Sequence, residues 1–223
     1  MVFLISVLLG LAMGSGTVFS LHYGAGNHVA LRRSIFSSFV LIGIVTLILN
    51  VAVFIWLDPI LRLLQVPQDI YGMMRSYSWI IFCGIVFTFI YNFYASLLRA
   101  VGDSVTPLWF LAVSVVLNIA LDLFFILQLD WGIQGAAAAT VLAQGVAALG
   151  IIIYTSRRRP ELRWHHEDMC FDRTCLKEIA SFSTLTCVQQ SVMNLGILMI
   201  QGLVNSFGTA VMLSLIHISD PRD

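Results

Sequence analysis

PLWFLAVSVVLNIALDLFFILQL, residues 107–129, is the stretch that decides the fold. It is apolar without interruption except at its polar points, and it exceeds the about 20 residues that a helix needs to cross ~30 Å of hydrocarbon. Asp122 lies inside it, deeper in an apolar run than any other acidic residue of the chain. A carboxylate at membrane depth costs at least ~2.5–3.5 kcal/mol on insertion scales, so an unpaired one is rarely kept without use. The stretch therefore implies a membrane helix, and its acid implies an ion- or proton-coupled transporter.

The remainder of the chain agrees. Of its 223 residues, 59% are hydrophobic and only 11% charged, and mean hydropathy is +0.91. A soluble domain carries about 25% charged residues, so a soluble fold would lack the polar surface to cover its core. Net charge is zero, which points to no nucleic-acid partner. Apolar runs at 2–21, 34–57, 79–98, 107–129, 133–154 and 179–213 predict six membrane helices in an all-α polytopic bundle. The runs are continuous rather than alternating, unlike the strands of a membrane barrel. The last run is overlong and carries Gln189, Gln190, Asn194, Gln201 and Asn205. Such a polar stripe is expected to face protein or a water-filled cavity, which makes Gln189, Gln190 and Asn194 candidate cavity residues.

Basic residues orient the helices. With the first run entering the cytoplasm at its C-terminal end, the inside loops hold Arg32, Arg33, Arg99, Arg157, Arg158, Arg159, Arg163, Arg173 and Lys177, while the outside loops hold Arg62 and Arg75. Nine against two sets the topology by the positive-inside rule. The first run would then travel inward with no flanking head, so at least one helix is expected before Met1. Residues 213–223 follow the last run with no loop logic and resemble read-through of a library adaptor, so they are expected to be non-native. The loop RRRPELRWHHEDMCFDRTCLKE, residues 157–178, mixes both charge signs with aromatics and predicts a cytoplasmic linker, part of it amphipathic at the membrane surface.

Asn118 and Asp122 are four residues apart, so they share a helix face. An amide oxygen beside a carboxylate supplies hard oxygen ligands for a small cation, or a carrier for a proton. Thr140, on the next helix, is a further candidate, although a membrane threonine often bonds its own i−4 carbonyl. Asn92 is another, and Tyr91 stands among aromatics (Phe87, Phe89, Phe93, Tyr94) able to line a pocket for a flat apolar compound. His165, His166, Cys170 and Cys175 lack the spacing of a zinc site, since the histidines are adjacent; no metal centre is expected. The four cysteines show no disulfide framework. Walker, dinucleotide-binding and nucleophile-elbow patterns are absent from the sequence, so no catalytic residues and no organic cofactor are expected.

Phe93-Tyr94-Ala95-Ser96-Leu97-Leu98-Arg99-Ala100-Val101-Gly102-Asp103-Ser104-Val105-Thr106-Pro107 resembles the inside-loop signature of the multidrug and toxic compound extrusion (MATE) family. Leu117-Asn118-Ile119-Ala120-Leu121-Asp122, Trp131-Gly132-Ile133-Gln134-Gly135-Ala136-Ala137 and Ala139-Thr140 look like its fifth and sixth helices; Gln189-Gln190-Ser191, Gln201-Gly202 and Asn205-Ser206-Phe207-Gly208 look like its seventh. The resemblance implies twelve helices in two lobes, of which this chain would supply helices two to seven. Residues 1–156 would be N-terminal lobe, 157–178 linker and 179–212 the first helix of the second lobe. It also implies drug export against Na⁺ or H⁺ entry by alternating access, from a cell (inner) membrane, with the bilayer and a small organic substrate as partners and no obligate protein partner. Asp122, Asn118 and Thr140 match a cation site of one prokaryotic branch; Asn92 matches less securely. Ser183 and Leu185 stand where that family's seventh helix often has Gly and Pro, and the acidic partner expected on helix one is not in this sequence. A lipid-linked oligosaccharide flippase of related architecture is the alternative, but it would favour a strongly cationic cavity. A membrane-embedded enzyme would want paired catalytic groups at depth.

Overall fold

The computed structural model describes residues 2–63, 68–162 and 173–206. Seven α-helices account for nearly all of them: α1 (Val2–Gly24), α2 (His28–Leu63), α3 (Gln68–Cys83), α4 (Ile85–Ala100), α5 (Val105–Leu127), α6 (Gly132–Arg158) and α7 (Arg173–Ser206), with a single 3₁₀ turn at Pro160–Leu162. No strand occurs among the described residues. In hydrocarbon every backbone N–H and C=O must be satisfied within the chain, and a helix does this segment by segment.

α1, α2, α5 and α6 are each long and apolar enough to cross a membrane, and α3 with α4 forms one further span bent by 42°. The chain is thus a multi-pass membrane protein. The bend is a correction to the sequence reading, in which residues 79–98 form one straight helix. The break falls at Gly84, and the span begins further back, at Gln68. Gly84 is there because α6 leaves no room: a Cβ on it would sit 2.5 Å from a methyl carbon of Val141. Asn50 of α2 donates its side-chain N–H to the Phe82 carbonyl at 2.7 Å, satisfying an acceptor beside the interruption. Kinks of this kind need such a local cause. A second difference concerns α7, which starts at Arg173 within the stretch read as linker. It is not among the helices that are long and apolar enough to cross a membrane over their described residues. His165, His166, Cys170 and the tail 213–223 lie outside the described residues, while Cys175 is buried beside Val18 and Ile179.

Short turns fix the order of the helices. Asn27 accepts the Ala30 N–H at 3.0 Å and caps α2, the ordinary work of an asparagine there. After α4, Gly102 takes φ +89°, and Asp103 accepts both the N–H and the hydroxyl of Thr106 at 3.0 and 2.8 Å. This is the physical content of the Arg99–Pro107 signature: a left-handed glycine turns the chain and an acid caps the next helix.

The main core joins α1, α2 and α4. Phe19, Phe39, Phe89 and Phe93 stack edge-on or tilted with centroids 5.2–6.1 Å apart, over Leu31, Ile35, Ile42 and Leu97. Ser96 of α4 donates to the Ala12 carbonyl at 2.7 Å across this core. α5 is held almost entirely by α6, where Gly135 and Gly150 lie against Phe125 and Phe110 with little room for a Cβ; small residues let membrane helices approach closely.

α7 lies antiparallel along α1, the most extensive helix pair of the chain. Asn194 meets Ser6, Ser183 donates to the Leu11 carbonyl at 3.3 Å, and His22 lies 3.8 Å from Glu178. Gly10 and Gly14 face Cys187 and Ser183 with no space for a Cβ. Gly14→Leu should therefore wedge α1 from α7 and cost about 1–3 kcal/mol, lowering the melting temperature in detergent. Gly196→Ala, which meets nothing within 4 Å, should be neutral or slightly stabilising because alanine is the better helix former. Equal melting temperatures for Gly14→Leu and the parent would refute this arrangement.

Candidate functional site

Three ladders of polar residues spaced by four converge between α4, α5 and α6: Thr88 and Asn92; Ser114, Asn118 and Asp122; Thr140 and Gln144. The spacing puts each ladder on one helix face. All of these except Asp122 line a cavity of ≈310 Å³ together with Tyr91, Leu111, Val115 and Ala147. The space exists because α4 and α5 touch little while α5 leans on α6. Tyr91 donates its hydroxyl to the Pro107 carbonyl at 2.8 Å, tying the two helices together near one end.

Hydrogen-bond valence decides which atoms look into the cavity. Thr140 Oγ1 gives its single proton to the Ala136 carbonyl at 3.0 Å, so it can only accept from Asn118 Nδ2 at 3.4 Å. The amide oxygen of Asn118 is therefore turned away from that contact. Asn92 Nδ2 donates to the Thr88 carbonyl at 2.8 Å, which leaves Asn92 Oδ1 without a donor from this pair. A hydroxyl has one proton, a carbonyl none, and an amide carries both kinds of group. Neither contact uses the side-chain oxygen of Asn92 or Asn118, and each such oxygen can accept from, or ligate, a group that wants oxygen.

Asp122 lies one turn from Asn118. Its Oδ1 is closed to solvent and has no hydrogen-bond partner among the described residues. Buried acceptors in proteins are almost always satisfied, and the exceptions call for an explanation. A small cation or a proton at this oxygen would supply one.

The structure brings the sequence candidates together only in part. Asn118, Thr140 and Asn92 share the cavity with Tyr91, which sequence reasoning had assigned to a separate substrate pocket. Gln189, Gln190 and Asn194 are elsewhere, on α7. Asn194 is spent on Ser6 and on the Gln190 carbonyl, and Gln189 is exposed. Thr88, Ser114 and Gln144 line the cavity unforeseen, although each stands four residues from a candidate and so was detectable from the ladder. Among the described residues no group of three or more His, Cys, Asp or Glu could hold a metal ion.

Residues 1–124 match the MatE family. The chain is 32% identical over 214 residues to the "Probable multidrug resistance protein YpnP" of Bacillus subtilis (strain 168), covering 93% of this chain and 46% of that protein. It is 31% identical over 161 residues to the "Multidrug export protein MepA" of Staphylococcus saprophyticus, covering 69% and 35%. Among solved structures, the Vibrio cholerae MATE transporter VcmN in its bent form superposes with a TM-score of 0.84 at 25% identity, over 96% of this chain and 49% of that one. An outward-facing multidrug resistance MATE family transporter superposes with a TM-score of 0.86 at 22% identity, over 98% and 49%. The chain spans about half the length of the curated relatives it matches.

The orphaned carboxylate generates a test. Asp122→Asn replaces a group that pays for its desolvation without a partner by a neutral amide of the same shape. In salt-free detergent at neutral pH the variant should melt higher than the parent, by the equivalent of about 1 kcal/mol or more. A lower melting temperature would mean that Asp122 is already paired.

Proposed function

The chain belongs to the MatE family, and from that membership we propose that it carries the ion-coupling site of a secondary active antiporter. The antiporter exports amphipathic or cationic organic compounds in exchange for inward Na⁺ or H⁺, by alternating access. Asp122 takes up the coupling ion, with Asn118 and Asn92 oxygens completing an oxygen-rich environment and Thr140 holding the Asn118 amide in register. The observation that carries this reading is the buried, unpartnered Asp122 oxygen one turn from a cavity whose amides present oxygen.

The mechanism follows from electrostatics. An uncompensated carboxylate in low dielectric disfavours any arrangement that closes protein around it. Binding of the ion removes that penalty and so changes which helix arrangement is preferred. A ligand shifts such an equilibrium only by its differential affinity for the two states, and the organic substrate is driven out to the extent that its affinity falls on that shift. The positive-inside bias places the N-terminal ends of α1 and α6 outside, so Thr140, eight residues into α6, lies in the outer half of the cell membrane. That depth suits an ion arriving from outside.

The lining also argues against the flippase alternative. A pyrophosphate-bearing lipid needs fixed cations, whereas the polar groups of the cavity are hydroxyls and amides.

The test uses the whole transporter that carries this segment, reconstituted in vesicles, with ethidium as the organic cation and an imposed Na⁺ or H⁺ gradient. Gradient-driven efflux should fall on Asp122→Asn by roughly tenfold, within the 5–150-fold span usual for coupling between sites. Dependence on the coupling ion should vanish with it. Efflux that keeps its rate and its ion dependence in this variant would defeat the assignment.

A further inference from the structure

A second, smaller cavity of ≈150 Å³ lies on the other side of α4 and α6, walled by Ile5, Tyr77, Ile81, Phe82 and Ile85. The two cavities have three lining residues in common: Thr88, Thr140 and Gln144. Of these, Thr88 and Gln144 are bonded to each other across the α4–α6 seam, the Thr88 hydroxyl donating to Gln144 Oε1 at 2.6 Å. One hydrogen bond between two side chains therefore stands at the boundary between the spaces, beside Thr140.

The small cavity is otherwise apolar apart from Tyr77, and its walls come from α1, α3 and α4. Tyr77, Ile81, Phe82 and Ile85 are the last residues of α3 and the first of α4, around the bend at Gly84. By the orientation above, this is the outer half of the membrane. The small cavity thus stands between the outer end of the bundle and the Asn118 cavity. Thr88 and Gln144, with Thr140, are the polar groups where the two spaces adjoin.

We propose that the Thr88–Gln144 pair is the gate by which the coupling cation or proton enters the Asp122 site, with Tyr77 and the bend at Gly84 forming its antechamber. The inference rests on the coupling reading above. Its physical content is that Thr88 Oγ1 and Gln144 Oε1 replace water around a small cation in transit when their mutual bond opens. An apolar pair in their place would force the ion across bare hydrocarbon. Gln144 can release Thr88 by a rotation of its own flexible side chain, without moving a helix. The gate therefore governs how fast the ion arrives and not how tightly it is held, since neither residue is needed for the oxygens of Asn92, Asn118 and Asp122 to face it. Asn92 bonds the Thr88 main-chain carbonyl, which a change of the Thr88 side chain leaves in place.

The experiment compares Thr88→Val, Gln144→Leu, Thr88→Ser and Asp122→Asn in the whole transporter. Equilibrium binding of Na⁺ alone, and of protons by dye titration, is measured on the purified protein. The initial rate of gradient-driven ethidium efflux is measured in vesicles. Thr88→Val and Gln144→Leu should each slow efflux by about tenfold, the effect of a modest added barrier, with ion binding at equilibrium unchanged. Thr88→Ser, which keeps the hydroxyl, should restore most of the rate lost in Thr88→Val. Parent-like rates in both apolar variants would overturn the gate, as would slow rates accompanied by an equal loss of ion binding. Unaltered ion binding in Asp122→Asn would instead overturn the coupling site itself, so the two failures are separable.

Discussion

A polar group surrounded by hydrocarbon must find its partner within the protein, and this requirement organises the bundle at every level. For the backbone it leaves only helices. For side chains it turns several polar residues into ties between helices. Ser96 holds the Ala12 carbonyl of α1, Asn50 the Phe82 carbonyl of α3, Thr88 holds Gln144 of α6, and Asn118 meets Thr140. Each tie contributes modestly, because alternative partners exist in the membrane, but together they set which faces meet. Asp122 is one of several buried groups without such a tie, with Ser34, Ser37 and Ser38 of α2 among the others, and the one carboxylate of that set among the described residues. Its unsatisfied oxygen is a standing demand that an entering cation or proton would meet.

Close approach of helices is the second half of the same design. Gly135 and Gly150 of α6 admit α5, Gly84 admits Val141, and Gly10 and Gly14 admit α7. Without hydrophobic drive between helices in lipid, tight van der Waals contact of this kind carries much of the association. Its geometric by-product is functional. Because α5 leans on α6 and parts from α4, a cavity opens where three polar ladders face inward.

Much of this was legible in the residue order. Uninterrupted apolar length identifies membrane helices, and the depth of Asp122 within residues 107–129 singles it out. The four-residue step to Asn118 places both on one face. Thr140 reaches Asn118 as its position on the following helix suggested. The same step would have found Ser114, Thr88 and Gln144, had the ladders been extended beyond the residues already of interest. The bend at Gly84 was not legible, because a lone glycine in an apolar run reads the same in a straight helix and a broken one. The neighbour that requires glycine at the break is Val141, 57 positions away. On α7, Asn194 is consumed by Ser6 of α1 and does not line the cavity between α4 and α6.

What residue order alone determined is the membrane as solvent, the all-α class, the rough extent of most apolar spans and the one acid set deep in such a run. These follow from composition and period, which are local properties. Tertiary structure alone decided which polar atoms are spent on which neighbours: Nδ2 of Asn92 meets the Thr88 carbonyl and Nδ2 of Asn118 meets Thr140, and Gln144 is bonded because Thr88 stands opposite. Hydrogen-bond valence is settled only when partners meet in space, and no spacing along one helix can state what the next helix brings to it.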